Sequence, residues 1–173
     1  MEPKIRPSGV ERRLGADEIV VSKTDLRGRI TYANDVFLRM CACQERDVLG
    51  RPHNFIRHPD MPRAIFRLLW DVIKSGEEVF AYVVNLAMDG AHYWVFAHVT
   101  PSFDHRGAIV GYHSNRRAPD PAAVDAIRPV YAALREEERR HRDPVQAIEA
   151  SSGLLQQRLI DAGRSYDELV WSL

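Results

Sequence analysis

Gly50-Arg51-Pro52-His53-Asn54-Phe55-Ile56-Arg57-His58-Pro59-Asp60-Met61-Pro62 concentrates side chains that could do chemistry on a backbone expected to be irregular. It holds two arginines, two histidines and one aspartate among three prolines and a glycine. Proline fixes φ and removes the amide donor at positions 52, 59 and 62, so the segment should be stiff although it is not regular. Polar and cationic groups held on such a loop, between two halves with clear strand and helix patterns, suit a binding shell better than a spacer.

Other chemistries find little support. Cys41 and Cys43 flank Ala42 with no further cysteine to complete a four-ligand zinc site, and residues this close do not easily close a disulfide; both are expected as free thiols. No serine or cysteine sits in a nucleophile-elbow context, and no glycine-rich phosphate loop is present. In a chain of 173 residues, 24 basic and 24 acidic side chains cancel, which argues against nucleic acid or an anionic membrane surface as partner. The length suits one domain with a small extension. Met1 is followed by charged and proline-containing sequence, and no segment approaches the roughly 18 apolar residues of a membrane span, so a cytosolic protein without direct membrane insertion is expected.

The elements that must position the loop can be read in chain order. Residues 1–8 are polar with two prolines and should fray, and Val10–Leu14 reads as a short helix or turn. Ile19–Lys23 and Arg29–Ala33 make a β-hairpin about an Asp25…Gly28 turn. Asn34 is a natural N-cap for a short helix bearing Phe37, Leu38 and Cys41, and Gln44–Leu49 allows one more turn. From Pro62, the spacing of Ile65, Phe66, Leu69, Val72 and Ile73 predicts a long helix that Gly76 stops. Glu78–Ala87, Tyr93–Thr100 and Ile109–Asn115 read as three consecutive antiparallel strands, with Val79, Ala81, Val83 and Asn85 on one face. The order describes an α+β domain whose sheet is covered on one face by helices. After Asp120-Pro121, Val124, Ile127, Val130, Tyr131 and Leu134 line a helix that Pro129 should bend. Asp143-Pro144 opens another with Val145, Ile148, Leu155, Leu159 and Ile160. These amphipathic helices need a partner, either the sheet's open face or another chain.

Five strings carry a resemblance: Thr24-Asp25-Leu26, Ile30–Phe37, Gly50–Pro62, Asp89–Val95 and Gly111-Tyr112. Together they resemble a PAS domain of the flavin-binding kind found in aerotaxis (Aer-type) receptors, over about residues 17–117. That leaves residues 1–16 as an N-terminal extension and 118–173 as a C-terminal helical extension for signalling or interaction. The resemblance implies a five-stranded antiparallel sheet with helices cradling a non-covalent FAD, in a redox sensor rather than an enzyme. In that family Arg57, His58 and Asp60 match positions implicated in holding FAD, as does Trp70. A pyrophosphate asks for cations such as Arg57, and flat rings can stack on Trp70.

A looser likeness to light-sensing flavin PAS domains places Asn85 at the flavin's pyrimidine edge, where an amide can both donate and accept. Asn34 caps a helix near the same pocket. His53 falls where a photochemical cysteine would sit, so a thiol adduct is not expected. His113 falls where light sensors carry a signalling glutamine, and a neutral imidazole there could exchange donor and acceptor roles on reduction. Without the membrane anchor and coiled coil of Aer-type receptors, the chain would pass flavin redox state through its C-terminal helices to a chemoreceptor-like or other signalling protein, or to a second copy of itself. Two other readings stay open: a cofactor-free interaction or dimerisation module whose pocket is filled by Phe66 and Leu69, and a haem-binding gas sensor, for which the long helix after Pro62 supplies no axial histidine.

Overall fold

A computed structural model describes residues 5–173. Strands β1 (Val20–Thr24), β2 (Ile30–Ala33), β3 (Val79–Leu86), β4 (His92–Phe103) and β5 (Ile109–Arg117) form an antiparallel sheet in the order β2-β1-β5-β4-β3. The hairpin turns share one chemistry, an aspartate that folds its carboxylate back onto nearby amides. Asp25 accepts from Arg27 N and Arg29 N, Asp89 from Ala91 N, and Asp104 from Arg106 N and Ala108 N.

Helices α1 (Asp35–Cys41), α2 (Glu45–Val48) and α3 (Arg63–Lys74) cover the inner face of the sheet. Strand alternation sends Val79, Ala81, Val83 and Asn85 inward, and Phe37, Met40, Ile65 and Tyr93 are fully buried in the core that results. The Gly50–Pro62 stretch is more ordered than its prolines suggest. His53–Ile56 forms a 3-10 turn, and Ile56 and Met61 are buried beneath it. Its backbone is tied to the first hairpin by Ile30 N to Arg51 O, Gly50 N to Ile30 O and His53 N to Gly28 O.

Two N-terminal expectations need adjusting. The fraying expected of residues 1–8 falls partly on residues 1–4, which lie outside the described residues; Ser8 is anchored, its amide and hydroxyl both donating to Gly90 O at 2.8 and 2.9 Å. Val10–Leu14 is neither helix nor turn. The start of β4 offers backbone partners, and the segment takes them in extended form: Arg12 N donates to His92 O and His92 N to Val10 O.

Past the sheet come α4 (Pro121–Arg139), α5 (Pro144–Asp161) and α6 (Tyr166–Trp171). Asp120 and Asp143 cap α4 and α5 ahead of a proline in the first turn, and Ser165 with Glu168 forms a capping box for α6. Helix α4 stays one helix through Pro129. It lies on the outer face of the sheet, where the Tyr131 hydroxyl donates to Tyr82 O at 2.6 Å and the Tyr131 and Trp94 rings stack. Trp171 of α6 packs edge-on against Phe80 and Phe96. Helix α5 packs against both α4 and α3. Within the chain, α4 and α6 thus meet the sheet's outer face, while α5 lies against the two helices.

Candidate functional site

Between the inner face of the sheet, α3 and the 50–62 loop lies a cavity of about 400 Å³. Strand alternation builds one wall from Ser22 and Thr24 on β1, Val83 and Asn85 on β3, and Tyr112, Ser114 and Arg116 on β5. The i, i+3, i+4 spacing of α3 builds the opposite wall from Phe66, Leu69, Trp70 and Ile73. The loop closes one end with His53, Asn54 and Arg57. Phe66 and Leu69 line this space and do not fill it. Trp70 meets Tyr112 edge to face, with centroids 5.3 Å apart.

Polar groups in the wall are of two kinds. Some are bonded to each other: Arg116 Nη2 donates to Ser22 Oγ and to His53 Nε2, both at 2.7 Å. Because Nε2 accepts, neutral His53 carries its proton on Nδ1. Burial, reinforced by the Arg116 cation, pushes the His53 pKa down to about 3, so the ring is neutral at ordinary pH. Burial also lowers Arg116 to about 10, which leaves it charged. Its guanidinium sits over the Phe37 ring, and no carboxylate pairs with it among the described residues.

Three further atoms have no partner: Asn85 Nδ2, Ser114 Oγ and Arg116 Nη1 are buried and bonded to nothing among the described residues. A buried amide, hydroxyl and cationic N–H left unsatisfied cost about 1–3 kcal/mol each, more for the charged one, unless a ligand takes them up. The wall therefore suits a partly apolar ligand carrying acceptors and some negative charge.

The cavity adjoins a second groove of about 480 Å³ that shares Arg57, Phe66 and Trp70 and adds Arg63, Arg67, Lys74, Asp71 and Ile148. Four cations against one acid suit a phosphate-bearing group there. Arg57 is half buried, and burial together with Arg63 and Arg135 lowers its pKa while Glu138 opposes the shift.

Of the residues singled out from the sequence, His53, Arg57, Trp70 and Asn85 meet at this cavity. The other four lie elsewhere. Asn34 spends its side chain on structure: Oδ1 accepts from Phe37 N and Val21 N, and Nδ2 donates to Ile19 O. His58 follows Arg57 on an extended backbone and points the other way, into a groove of about 490 Å³ bounded by His92, Trp94 and Arg128, where exposed Asp60 also lies. His58 Nδ1 accepts from Asp60 N, and burial lowers its pKa against the pull of Asp60. His113, opposite Lys23 and Thr100, has the wrong parity, since its neighbours Tyr112 and Ser114 are the ones that line the cavity.

Arg116, Ser114 and Ser22 were not singled out. Ending β5 at Asn115 put Arg116 beyond the strand; extending it to Arg117 and taking every second residue from Tyr112 recovers Ser114 and Arg116 together. Both cysteines are free, and burial raises the pKa of each, which keeps them as inert thiols. No helix among the described residues is long and apolar enough to cross a membrane, and no group of three or more potential metal ligands occurs among them.

Comparison with known proteins agrees with this architecture. The family described as PAS fold matches residues 30–116. The chain is 40% identical over 121 residues to the aerotaxis receptor of Escherichia coli (strain K12), an alignment that covers 70% of the chain and 24% of the receptor. The chain thus spans about a quarter of that relative's length. In three dimensions it is similar to the dark structure of the blue-light photoreceptor Aureochrome1 LOV, with TM-score 0.54, 25% identity, and coverage of 70% of this chain and 84% of that one. A light-oxygen-voltage domain from work with a flavin analogue superposes with TM-score 0.58 at 20% identity, covering 72% of this chain and 90% of that one. The matched segment runs from β2 to the end of β5 and spans half of the chain, and the chain belongs to the PAS-fold family.

Proposed function

We propose that this chain is a cytosolic redox sensor that holds FAD without a covalent bond and reports its redox state to a signalling partner. The observation that carries the reading is the trio of unpartnered buried groups, Asn85 Nδ2, Ser114 Oγ and Arg116 Nη1, in the wall of an apolar cavity. A flavin ring offers carbonyl and ring-nitrogen acceptors to donors of this kind and apolar faces to Phe66, Leu69 and Trp70. Similarity to an aerotaxis receptor and to a blue-light photoreceptor supports the same class of ligand.

FAD is favoured over FMN by the adjoining cationic groove, where Arg57, Arg63, Arg67 and Lys74 can hold a pyrophosphate that outgrows the first cavity. The bound group supplies reversible electron uptake. The chain's own residues supply the rest. Arg116 keeps a buried positive charge in the cavity wall, Asn85 gives an amide able to reverse its hydrogen bonds, and neutral His53 orients the Arg116 guanidinium through Nε2. Arg116, fixed to Ser22 and His53, would be the group on β5 placed to hold added negative charge on the bound group. The outer face of the same sheet carries α4 and α6, the elements through which a separate signalling protein, or a second copy of the chain, would be addressed.

The test is the visible absorption spectrum of the purified protein, with the released chromophore identified after denaturation. Flavin absorption with FAD released is the expected result. A colourless protein that also refuses added FAD, FMN and riboflavin overturns the reading.

A further inference from the structure

Helix α3 supplies one wall of the cavity, yet its own sequence leaves its N-terminus uncapped, because Pro62 has no side-chain acceptor. The first amides of any helix need acceptors from outside it. Here the acceptor comes from α4. Glu138 Oε1 accepts from Arg63 N at 2.6 Å and Ala64 N at 3.3 Å. The same oxygen accepts from the Ser151 hydroxyl of α5 at 3.2 Å, and Oε2 accepts from Arg135 Nη1 at 2.5 Å.

The Glu138 side chain is 2% exposed, so this is an interior joint and not a surface ion pair. A carboxylate at that end also complements the helix dipole. It is set among cations, since Arg57 feels Arg63, Arg135 and Glu138 together, and Glu138 is the one that favours its charge. Removing it would leave two α3 amides without their acceptor and three cations crowded at the end of the ligand site, while the Ser151 hydroxyl would keep only Ile148 O. Arg57 lines both the cavity and the adjoining groove, so the crowding falls on a residue the ligand needs.

We infer that Glu138 is a positioning residue of the ligand site: through it the α4–α5 hairpin holds α3 and Arg57 in place, so that filling the cavity and docking the hairpin favour each other. This deepens the flavin reading and rests on it. Coupling of this kind is reciprocal by thermodynamic necessity. If the docked hairpin tightens ligand binding, ligand must tighten the hairpin by the same factor.

The experiment uses the full chain, titrated with FAD by fluorescence quenching, with backbone hydrogen exchange read across α3, α4 and α5 with and without FAD. Wild type, Glu138→Gln and Glu138→Ala are compared. The glutamine keeps a carbonyl for Arg63 N and Ala64 N but loses the charge facing Arg135; the alanine loses both. FAD should slow exchange in α4 and α5 of the wild type. Glu138→Ala should weaken FAD binding by at least about fivefold, the low end of ordinary coupling between sites, and abolish the FAD-dependent protection of the hairpin, with Glu138→Gln in between. A merely structural glutamate would lower stability in all states without changing that difference. FAD binding indifferent to Glu138, or hairpin exchange in the wild type indifferent to FAD, overturns the coupling alone. Should Glu138→Ala not fold, the wild-type and Glu138→Gln comparisons decide the matter. Wild-type protein that takes up no FAD overturns the flavin reading and the coupling together.

Discussion

Arg116→Met removes a buried charge while keeping most of the side-chain volume, and its consequences for the empty and the loaded protein should diverge. In the protein alone, Arg116 is buried with Ser22 and His53 as its hydrogen-bonded partners. Losing two hydrogen bonds from a charged donor costs about 1.5–3 kcal/mol each, while relieving an ion with no carboxylate partner of its desolvation returns several kcal/mol. The opposing effects are of similar size. Unfolding in urea without ligand should therefore move by no more than about 2 kcal/mol in either direction.

The loaded protein should respond differently. Reduction of a bound flavin adds negative charge, and Arg116 Nη1 is free to answer it. If that answer is worth about 1.5–3 kcal/mol more in the reduced state, as hydrogen bonds to charged groups are, its loss makes the midpoint potential more negative. At 30 mV for each 1.4 kcal/mol in a two-electron couple, the shift is roughly 30–60 mV. Spectroelectrochemical titration of wild type and Arg116→Met against a dye of known potential measures it. A potential that stays put, or becomes more positive, refutes the assignment of Arg116 to the ligand's charged state.

The remaining expectations use the same geometry. His53 holds its pKa near 3 when folded and near the ordinary 6.5 when unfolded, so between those values the unfolded chain binds a proton that the folded chain refuses. Stability should then fall as pH drops through that window, by up to about 1.4 kcal/mol per unit; urea midpoints at pH 7 and pH 5 should lie further apart for wild type than for His53→Gln, and equal separations count against the buried neutral imidazole. Gly28 has φ +75° and the atoms of the Trp70 ring would stand 3.0 Å from any Cβ placed on it, so Gly28→Ala should cost at least about 1 kcal/mol and weaken ligand binding by displacing Trp70, measured by thermal unfolding and FAD titration. Asn34→Ala should cost about 1–2 kcal/mol through its lost cap and leave ligand affinity unchanged in the folded fraction, because its side chain is committed to three hydrogen bonds with the backbone and does not line the cavity. His113→Ala should leave the flavin potential within about 10 mV of wild type, well below the 30 mV that 1.4 kcal/mol would produce, and a larger shift would place the ring nearer the ligand than its strand parity allows.

The contrast between His113 and Arg116 shows where sequence reasoning reached and where it stopped. Hairpins, the long helix and the inward set Val79, Ala81, Val83 and Asn85 were legible because period-2 and period-3.6 patterns and Asp-Gly turns report local geometry directly. Those patterns put Asn85 on the inward strand face, while the resemblance to flavin-binding PAS domains was needed to bring it and Trp70 to one cavity. Parity on β5 was harder to fix, because Gly111, His113 and Asn115 alternate with Tyr112, Ser114 and Arg116 without an apolar set that marks the core face. A buried arginine looks in sequence like a solvated one, and only a cavity behind it distinguishes them. The loop posed the same ambiguity one residue at a time, with Arg57 facing the ligand space and His58 the opposite groove. Glu138 lies further still from local inference. In sequence it is one of three consecutive glutamates in a charged run suited to water; only when α4 has crossed the outer face of the sheet does it meet the bare end of α3. Side chains whose meaning depends on a contact 75 residues away are those that a PAS domain can use to join its pocket to whatever lies beyond it. On that argument the C-terminal helices are part of the sensing unit, and a protein cut after Arg117 should bind its ligand more weakly than the full chain by the same factor that ligand adds to hairpin docking. Equal affinity in a folded truncated protein would show that the pocket stands alone.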